Sequence, residues 1–303
     1  MTMEEALLSQ KPVVERCLLK VPATLSAFSF TNIFAWKDFF QFDFKIIHDC
    51  LCIFAKNEAG CFMYLPPLGE NVSSAVVDEC FEEMESVNGR GGVTRIENVP
   101  AQQLCLFPPD QYVCGKRGDE YCYRREDIAD FKGKAYKSKR SSYNGFVAHC
   151  PHDYLPYTPD MLQACLGLYE EWAEQRKDAQ ADEIYRHMID ENRKVHECVL
   201  RRSCELGLTG RVVKVDGKIK AYTFGFGLNP ETFCILFEIA DLSVKGLATY
   251  IFREFCRDPD VETYSFINAM DDFGMENIRQ TKMSFVPCAL LPVYTVTKKR
   301  DQT

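Results

Sequence analysis

Between Thr232 and Pro287 the spacing of apolar residues changes period, and each change marks an element. Phe233 to Ile239 is an apolar, β-branched and aromatic run behind the turn signal Asn229-Pro230, which predicts a buried strand. A polar stretch, Asp241 to Lys245, follows. Apolar residues then recur at Leu247, Tyr250, Ile251 and Phe255, a helical spacing across Gly246 to Cys256. A second strand is predicted from about Glu262 to Ile267, closed by a polar knot from Asn268 to Asp272. A short helix from Met275 to Met283 ends the stretch. Strand, helix and strand make a βαβ unit, which is right-handed.

The remaining pattern repeats this logic. Pro159-Asp160 opens a helix carrying Leu162, Leu166, Tyr169 and Trp172, and a second helix runs from about Glu183 to Leu206 with Gly207 as its cap. Thr209 to Val215 and Lys218 to Phe226 form a hairpin through Asp216-Gly217. Ala289 to Val296 is a closing strand. In the first half, helices are predicted from Pro12 to before Pro22 and within Phe28 to Trp36. A three-strand meander covers Phe42 to Ile47, Leu51 to Ala55 and Cys61 to Leu65. An amphipathic helix from Val72 to Val87 stops at Asn88-Gly89 and Gly91-Gly92, with a strand over Val93 to Ile96. Tyr121 to Arg124 reads as a strand, Glu126 to Phe131 as a helical turn and Lys134 to Val147 as a helix. Two α+β domains with mixed sheets follow, 1–150 and 151–303, joined across the Pro- and His-rich stretch at 148–158.

Composition narrows the classes. Hydrophobic residues at 46% suffice for two cores, and a net charge of -8 argues against duplex DNA as a partner. No apolar run approaches the ~20 residues that span a bilayer. The start, MTMEEALLSQK, is acidic and lacks a signal-peptide core, so the expected location is the cytoplasm. Fifteen cysteines without a C-x-x-C pair read as small buried hydrophobes in a reducing compartment. The cluster His149-Cys150-Pro151-His152-Asp153 has no second ligand group near it in sequence, and no metal is expected.

Candidate chemistry sits at the predicted strand ends, where open sheets place it. Glu238, Asp241, Asn268, Asp271 and Asp272 collect there. Turn and capping chemistry is the plain alternative for each, because Asp and Asn favour both. Glu238 ends an apolar strand, so burial raises its pKa toward that of a general base. Asn268 is placed to orient a carbonyl, and Asp271 and Asp272 are further proton acceptors. Arg279 and Lys282 share a helix face and face a developing negative charge, or pair with Asp271 and Asp272. Lys132, Lys134, Lys137, Lys139 and Arg140 gather five cations in nine residues of an acidic chain. A solvated face is the ordinary reading of such a run. Its sign against the chain's own favours an anion such as phosphate or an RNA 3′ end, with Lys134, Lys139 and Arg140 lining the site. The turn from Ser243 to Ala248, with Lys245 and Gly246, resembles a weakened pyrophosphate loop of the acetyltransferase superfamily, with Ser243 where Gln or Arg is usual.

A broader resemblance covers nearly the whole chain. Its marks are Ser29-Phe30-Thr31-Asn32, Trp36, Pro66-Pro67-Leu68-Gly69, Asp119-Glu120-Tyr121-Cys122-Tyr123, Gly133-Lys134, Lys139-Arg140, Asn144 and Phe146. They continue with Glu171-Trp172, Asp216-Gly217-Lys218-Ile219, Glu238, Gly246, Ile267-Asn268, Asp272-Phe273-Gly274, Arg279, Lys282, Ser284-Phe285 and Pro287. In these the chain resembles the C-terminal catalytic domain of bacterial phosphatidylglycerol lysyltransferases. Ser141 stands where the family has Asn, and the membrane-spanning segment of the lipid-modifying members is not found ahead of it. The resemblance implies two tandem acetyltransferase-like (GNAT) acyl-CoA N-acyltransferase domains forming a pseudo-dimer. It implies transfer of an aminoacyl group from aminoacyl-tRNA, or of an acyl group from acyl-CoA, to an amine or hydroxyl of a lipid or small molecule. A duplicated acyltransferase fold that binds ligand without chemistry is the competing expectation.

Overall fold

The computed structural model describes residues 2–89, 94–178 and 183–299. They form two compact units: Met1–Glu120 with Asp271–Gly274 and Leu290–Thr303, and Tyr121–Met270 with Met275–Ala289. In chain order the elements are α1 (Met3–Ser9), α2 (Lys11–Leu18), α3 (Phe30–Ala35), β1 (Gln41–Ile47), β2 (Cys50–Asn57), β3 (Gly60–Met63), α4 (Ser74–Asn88), β4 (Ile96–Pro100) and β5 (Tyr112–Arg124). There follow α5 (Arg125–Asp130), α6 (Lys137–His149), β6 (His152–Pro156), α7 (Leu162–Asp178), α8 (Glu183–Arg201), α9 (Ser203–Leu206), β7 (Thr209–Val215) and β8 (Lys218–Asn229). The chain closes with β9 (Thr232–Ala240), α10 (Leu247–Arg257), β10 (Phe266–Asn268), α11 (Glu276–Met283) and β11 (Ala289–Lys298).

Each unit carries the same core motif. In the first, β1, β2 and β3 form an antiparallel meander, α4 crosses over, and β4 returns parallel to β3. In the second, β7, β8 and β9 are antiparallel, α10 crosses over, and β10 returns parallel to β9. The first unit's strand order is β1-β2-β3-β4-β11-β5, and the second unit's is β5-β10-β9-β8-β7-β6. The last strand of the sequence thus belongs to the first unit, against β4. The end of β5 belongs to the second, against β10.

Several boundaries differ from the sequence expectation, for local reasons. The stretch read as an interdomain connection at 148–158 forms β6, hydrogen-bonded to β7 inside the second unit. Its two prolines flank an edge strand, where their missing N–H groups cost no ladder bond. The strand expected from Glu262 begins only at Phe266, because residues 258–264 are turns wound around buried Asp258, whose carboxylate takes both Arg211 and the Tyr154 hydroxyl. The helix expected from Lys134 begins at Lys137. Gly91-Gly92 and Val93 lie outside the described residues. Among the described residues no helix is long and apolar enough to cross a membrane.

Candidate active site

A splayed strand pair opens the second unit. β10 pairs with β9 only at Thr232, Phe233 and Cys234, whereas β8 follows β9 as far as Ala240. From Ile235 onward, β9 therefore has no β10 residue beside it, and Glu238 stands on that stretch.

A bulge aims Glu238. β8 pairs Phe224 with Phe237 and Gly225 with Ile235, which leaves Leu236 as the extra residue. Strand side chains alternate faces, so one extra residue reverses the alternation beyond it. Phe233 and Ile235 pack with Tyr123, Phe255 and Cys256. Phe237 packs on the other face with Tyr169 and Tyr222, its ring 3.9 Å from that of His196. Glu238, adjacent to Phe237, turns back to the α10 face. Gly225 permits this geometry: a Cβ there would lie 2.4 Å from the Cys234 carbonyl oxygen and 2.3 Å from the Phe233 ring. Gly225→Ala is expected to cost roughly 1–3 kcal/mol through overpacking. Urea denaturation checks this; an unchanged midpoint would show that the bulge absorbs the methyl group.

The residue Glu238 is half-buried, and its Oε2 is sealed from solvent with no hydrogen-bond partner among the described residues. Burial pushes its carboxyl up to about 8, while Lys282 and then Lys139 oppose that rise. Burial in turn brings the Lys139 ammonium down to about 8, against the pull of Glu238. Lys139 Nζ rests 3.6 Å from the centroid of the Phe285 ring, a cation–π distance. Lys282 Nζ donates to the Ala269 carbonyl at 2.5 Å and lies 5.5 Å from the Tyr121 ring centroid.

The supports of these groups are fixed. Carbonyls in the last turn of a helix lack intrahelical partners. At the end of α11 the Tyr123 hydroxyl donates to the Lys282 carbonyl at 2.9 Å, and the Tyr136 hydroxyl donates to the Phe285 carbonyl at 3.1 Å. Asn268 is fully buried, and its Oδ1 accepts from the Met270 N–H at 2.8 Å. That turn presents the Ala269 carbonyl to Lys282. Phe131, Met270 and Val286 all hold positive φ, at 52°, 58° and 56°. Such conformations cost about 1–3 kcal/mol each and collect where the surroundings impose them, as at active sites.

The other expected site residues are distributed as follows. Nη1 of Arg140 donates to the carbonyls of Phe131 and Gly133. Lys134, Lys245 and Arg279 are exposed. Asp271 and Asp272 fall in the first unit. Asp272 Oδ1 accepts from Gly274 N–H at 2.9 Å, so it closes its own turn; the N-cap of α11 is Met275. Gly246 has φ +89°, and a Cβ on it would meet the Ser142 carbonyl oxygen at 2.5 Å. Its smallness admits α6, and the buried Asp241 carboxylate occupies the same turn, accepting from the Ser243 N–H and hydroxyl. His152 packs between Phe146 and Tyr250, and among the described residues no group of three His, Cys, Asp or Glu could hold a metal. Tyr121, Tyr123 and Phe285 are buried beside these groups, and the sequence reading gave them no chemical role; buried aromatic residues are ordinary core material, so nothing in the sequence set them apart.

Residues 20–297 match the family described as phosphatidylglycerol lysyltransferase, C-terminal. No curated protein matches. Among solved structures, a conserved protein of unknown function from Bacteroides thetaiotaomicron is 28% identical with a TM-score of 0.85, covering 96% of this chain and 97% of its own. L-PGS from Bacillus licheniformis is 15% identical with a TM-score of 0.68, covering 96% and 92%. A tandem GNAT protein from the clavulanic acid biosynthesis pathway is 8% identical with a TM-score of 0.52, covering 98% of each chain. The fold is that of two tandem GNAT-like domains, related to the acyltransferase and aminoacyltransferase folds.

Proposed function

Because the chain belongs to the phosphatidylglycerol lysyltransferase C-terminal family, we propose that it is a transferase moving an aminoacyl group from the 3′ ester of a charged tRNA to an amine or hydroxyl. The observation that carries this reading is the sealed, unpartnered Glu238 oxygen with two lysines bearing on it. An unmet acceptor in a low-dielectric site is costly, and a ligand that brings an N–H or O–H removes that cost.

In this reading the acceptor's amine or hydroxyl attacks the ester carbonyl. Glu238, as carboxylate, takes the proton the nucleophile loses. Lys282 stabilises the charge that develops on the carbonyl oxygen. The tetrahedral intermediate collapses, the ribose oxygen leaves, and Glu238 returns the proton to it. Lys139, near its own midpoint at neutral pH, buffers the charge of Glu238. Asn268 holds the turn that seats Lys282. Arg279 and the exposed Lys134 are assigned to the donor's phosphates.

The α10 turn favours an ester of tRNA over a coenzyme A thioester. Pyrophosphate needs open backbone N–H groups and a positive field. Here α6 packs on Gly246 and the Asp241 carboxylate fills the turn. The family's named acceptor, phosphatidylglycerol, is the first to test.

The test offers the protein labelled aminoacyl-tRNA or acetyl-CoA, with phosphatidylglycerol vesicles or a simple primary amine as acceptor. Glu238-dependent consumption of the charged tRNA, with product label on the acceptor, is expected. Consumption of acetyl-CoA alone would overturn the donor assignment. Tight binding of either donor without turnover would leave a binding module.

A further inference from the structure

We propose that Arg140 is a positioning residue: by tying α6 to the backbone of residues 131–133, it holds Lys139 against Phe285 in the candidate site. The proposal rests on the reading of Lys139 as part of the reacting centre, but its test needs no turnover.

The argument starts from orphan carbonyls. α5 ends at Asp130, and its C-cap, Phe131, takes the left-handed conformation. The carbonyls of such an end need outside donors. Two arginines supply them. Arg253 of α10 donates from Nε to Ala129 at 2.8 Å and from Nη2 to Asp130 at 3.1 Å. Arg140 donates from Nη1 to Phe131, and to Gly133 at 2.7 Å. The guanidinium of Arg253 also lies 5.1 Å from the Phe131 ring centroid. The loop is therefore held from α10 by one arginine and from α6 by the other.

That loop builds the floor under Lys139. Phe131 stacks on Tyr136 at 5.4 Å and tilts against Phe285 at 6.2 Å. The Tyr136 hydroxyl holds the Phe285 carbonyl, and Phe252 meets the Phe285 ring at 4.8 Å. Lys139 sits on that ring, one residue before Arg140. Fixing Arg140 to residues 131–133 thus fixes the first turn of α6 over the aromatic floor. Without the clamp the α6 start is free to lift, and water reaches Lys139. The ionised group bearing on Lys139 is Glu238 of β9, and Lys282 of α11 bears on Glu238 in turn.

The experiment reads Lys139 directly. Competitive labelling of lysines with an amine-reactive ester from pH 6 to 11, resolved by peptide mass spectrometry, gives the midpoint for Lys139, with the exposed Lys218 as internal standard. A midpoint near 8 is expected for the wild-type protein. Arg140→Ala is expected to raise it by about one pH unit or more, with about fivefold less labelling at pH 8, or lower still. Arg140→Lys keeps the charge but loses the planar fork that reaches two carbonyls. It is expected to shift the midpoint in the same direction by a smaller amount. A shift in Arg140→Ala with none in Arg140→Lys would assign the effect to charge and overturn the proposal. A lowered melting temperature with an unmoved Lys139 midpoint would overturn it as well. If Arg140→Ala does not fold, Arg140→Lys alone decides, by the same criterion. Absence of transferase activity in the wild type would count against the proposed function and leave this readout intact.

Discussion

Glu238→Gln is expected to make the protein more stable than wild type at pH 9 and equally stable at pH 5, while lowering transfer by roughly 10²–10⁴-fold. The stability change follows from linkage. The folded-state pKa of Glu238 is raised from 4.5 to about 8. A group so raised contributes its full stability below 4.5, where both states are protonated, and loses it as pH rises through about 8. Fully ionised, the buried carboxylate carries a penalty on the order of 5 kcal/mol, an upper value because relaxation and water entry reduce it. Gln has nearly the same shape, cannot ionise and escapes that penalty. Lys139 acts with the opposite sign: its pKa is lowered from 10.5 to about 8, so its penalty grows as pH falls from 10.5 toward about 8 and is complete below that. That slope is largely common to wild type and variant, so their difference isolates Glu238. Urea denaturation at pH 5, 7 and 9 measures it. Parallel stability curves for the two proteins across this range would show that Glu238 is not held as an isolated buried carboxyl. The kinetic arm is separate. A base must be ionised to accept a proton, so wild-type kcat/KM is expected to climb to about pH 8, and the variant is expected to lack that limb.

The order of elements was legible because its signals are local. Asp216-Gly217 sets the β7–β8 hairpin, and the apolar spacing of Leu247, Tyr250, Ile251 and Phe255 sets α10, with all four buried. The repeated meander and crossover followed from the same periods. Glu238 was legible as a buried carboxylate because it closes an apolar strand. The face it points to was not. A bulge at Leu236 is a property of pairing with Phe224 and Gly225, and simple alternation would have placed Glu238 on the wrong side. The partners of Arg140 were hidden for a related reason. Its charge stood out against an acidic chain, but the carbonyls that hold it belong to a helix end whose left-handed cap, Phe131, is not a residue that announces that conformation. The approach of α6 to Gly246 was not legible, because a glycine that admits a ligand and one that admits a helix look alike in sequence. Asp272 was a choice between helix cap and base; the N-cap of α11 is Met275, and Asp272 Oδ1 accepts from the N–H of Gly274.

Lys282→Met is expected to lower kcat by about 10²–10³-fold, the typical cost of losing one preorganised donor to a developing oxyanion. Lys282 is held more firmly for that role than Arg279. Its Nζ is fixed on the Ala269 carbonyl at 2.5 Å, and its own backbone carbonyl is held by Tyr123. Arg279, on the same helix, is exposed and free of such placement cost, so its loss should weaken donor binding and its salt dependence more than kcat. The substitution has a second, separable effect. Lys282 is the stronger of the two charges that hold Glu238 down against burial. Removing it raises the Glu238 carboxyl above its present value of about 8, so the rising limb of the pH–rate profile should move to higher pH. A lysine that served only to brace α11 would lower the melting temperature and leave that limb in place. Lys282→Arg restores charge and is expected to restore the position of the limb while recovering only part of the rate, because the guanidinium cannot occupy the ammonium's point beside the Ala269 carbonyl. Full kcat in Lys282→Met, or a pH profile that does not move, would remove Lys282 from the reacting centre and leave Lys139 as the cation to test in its place.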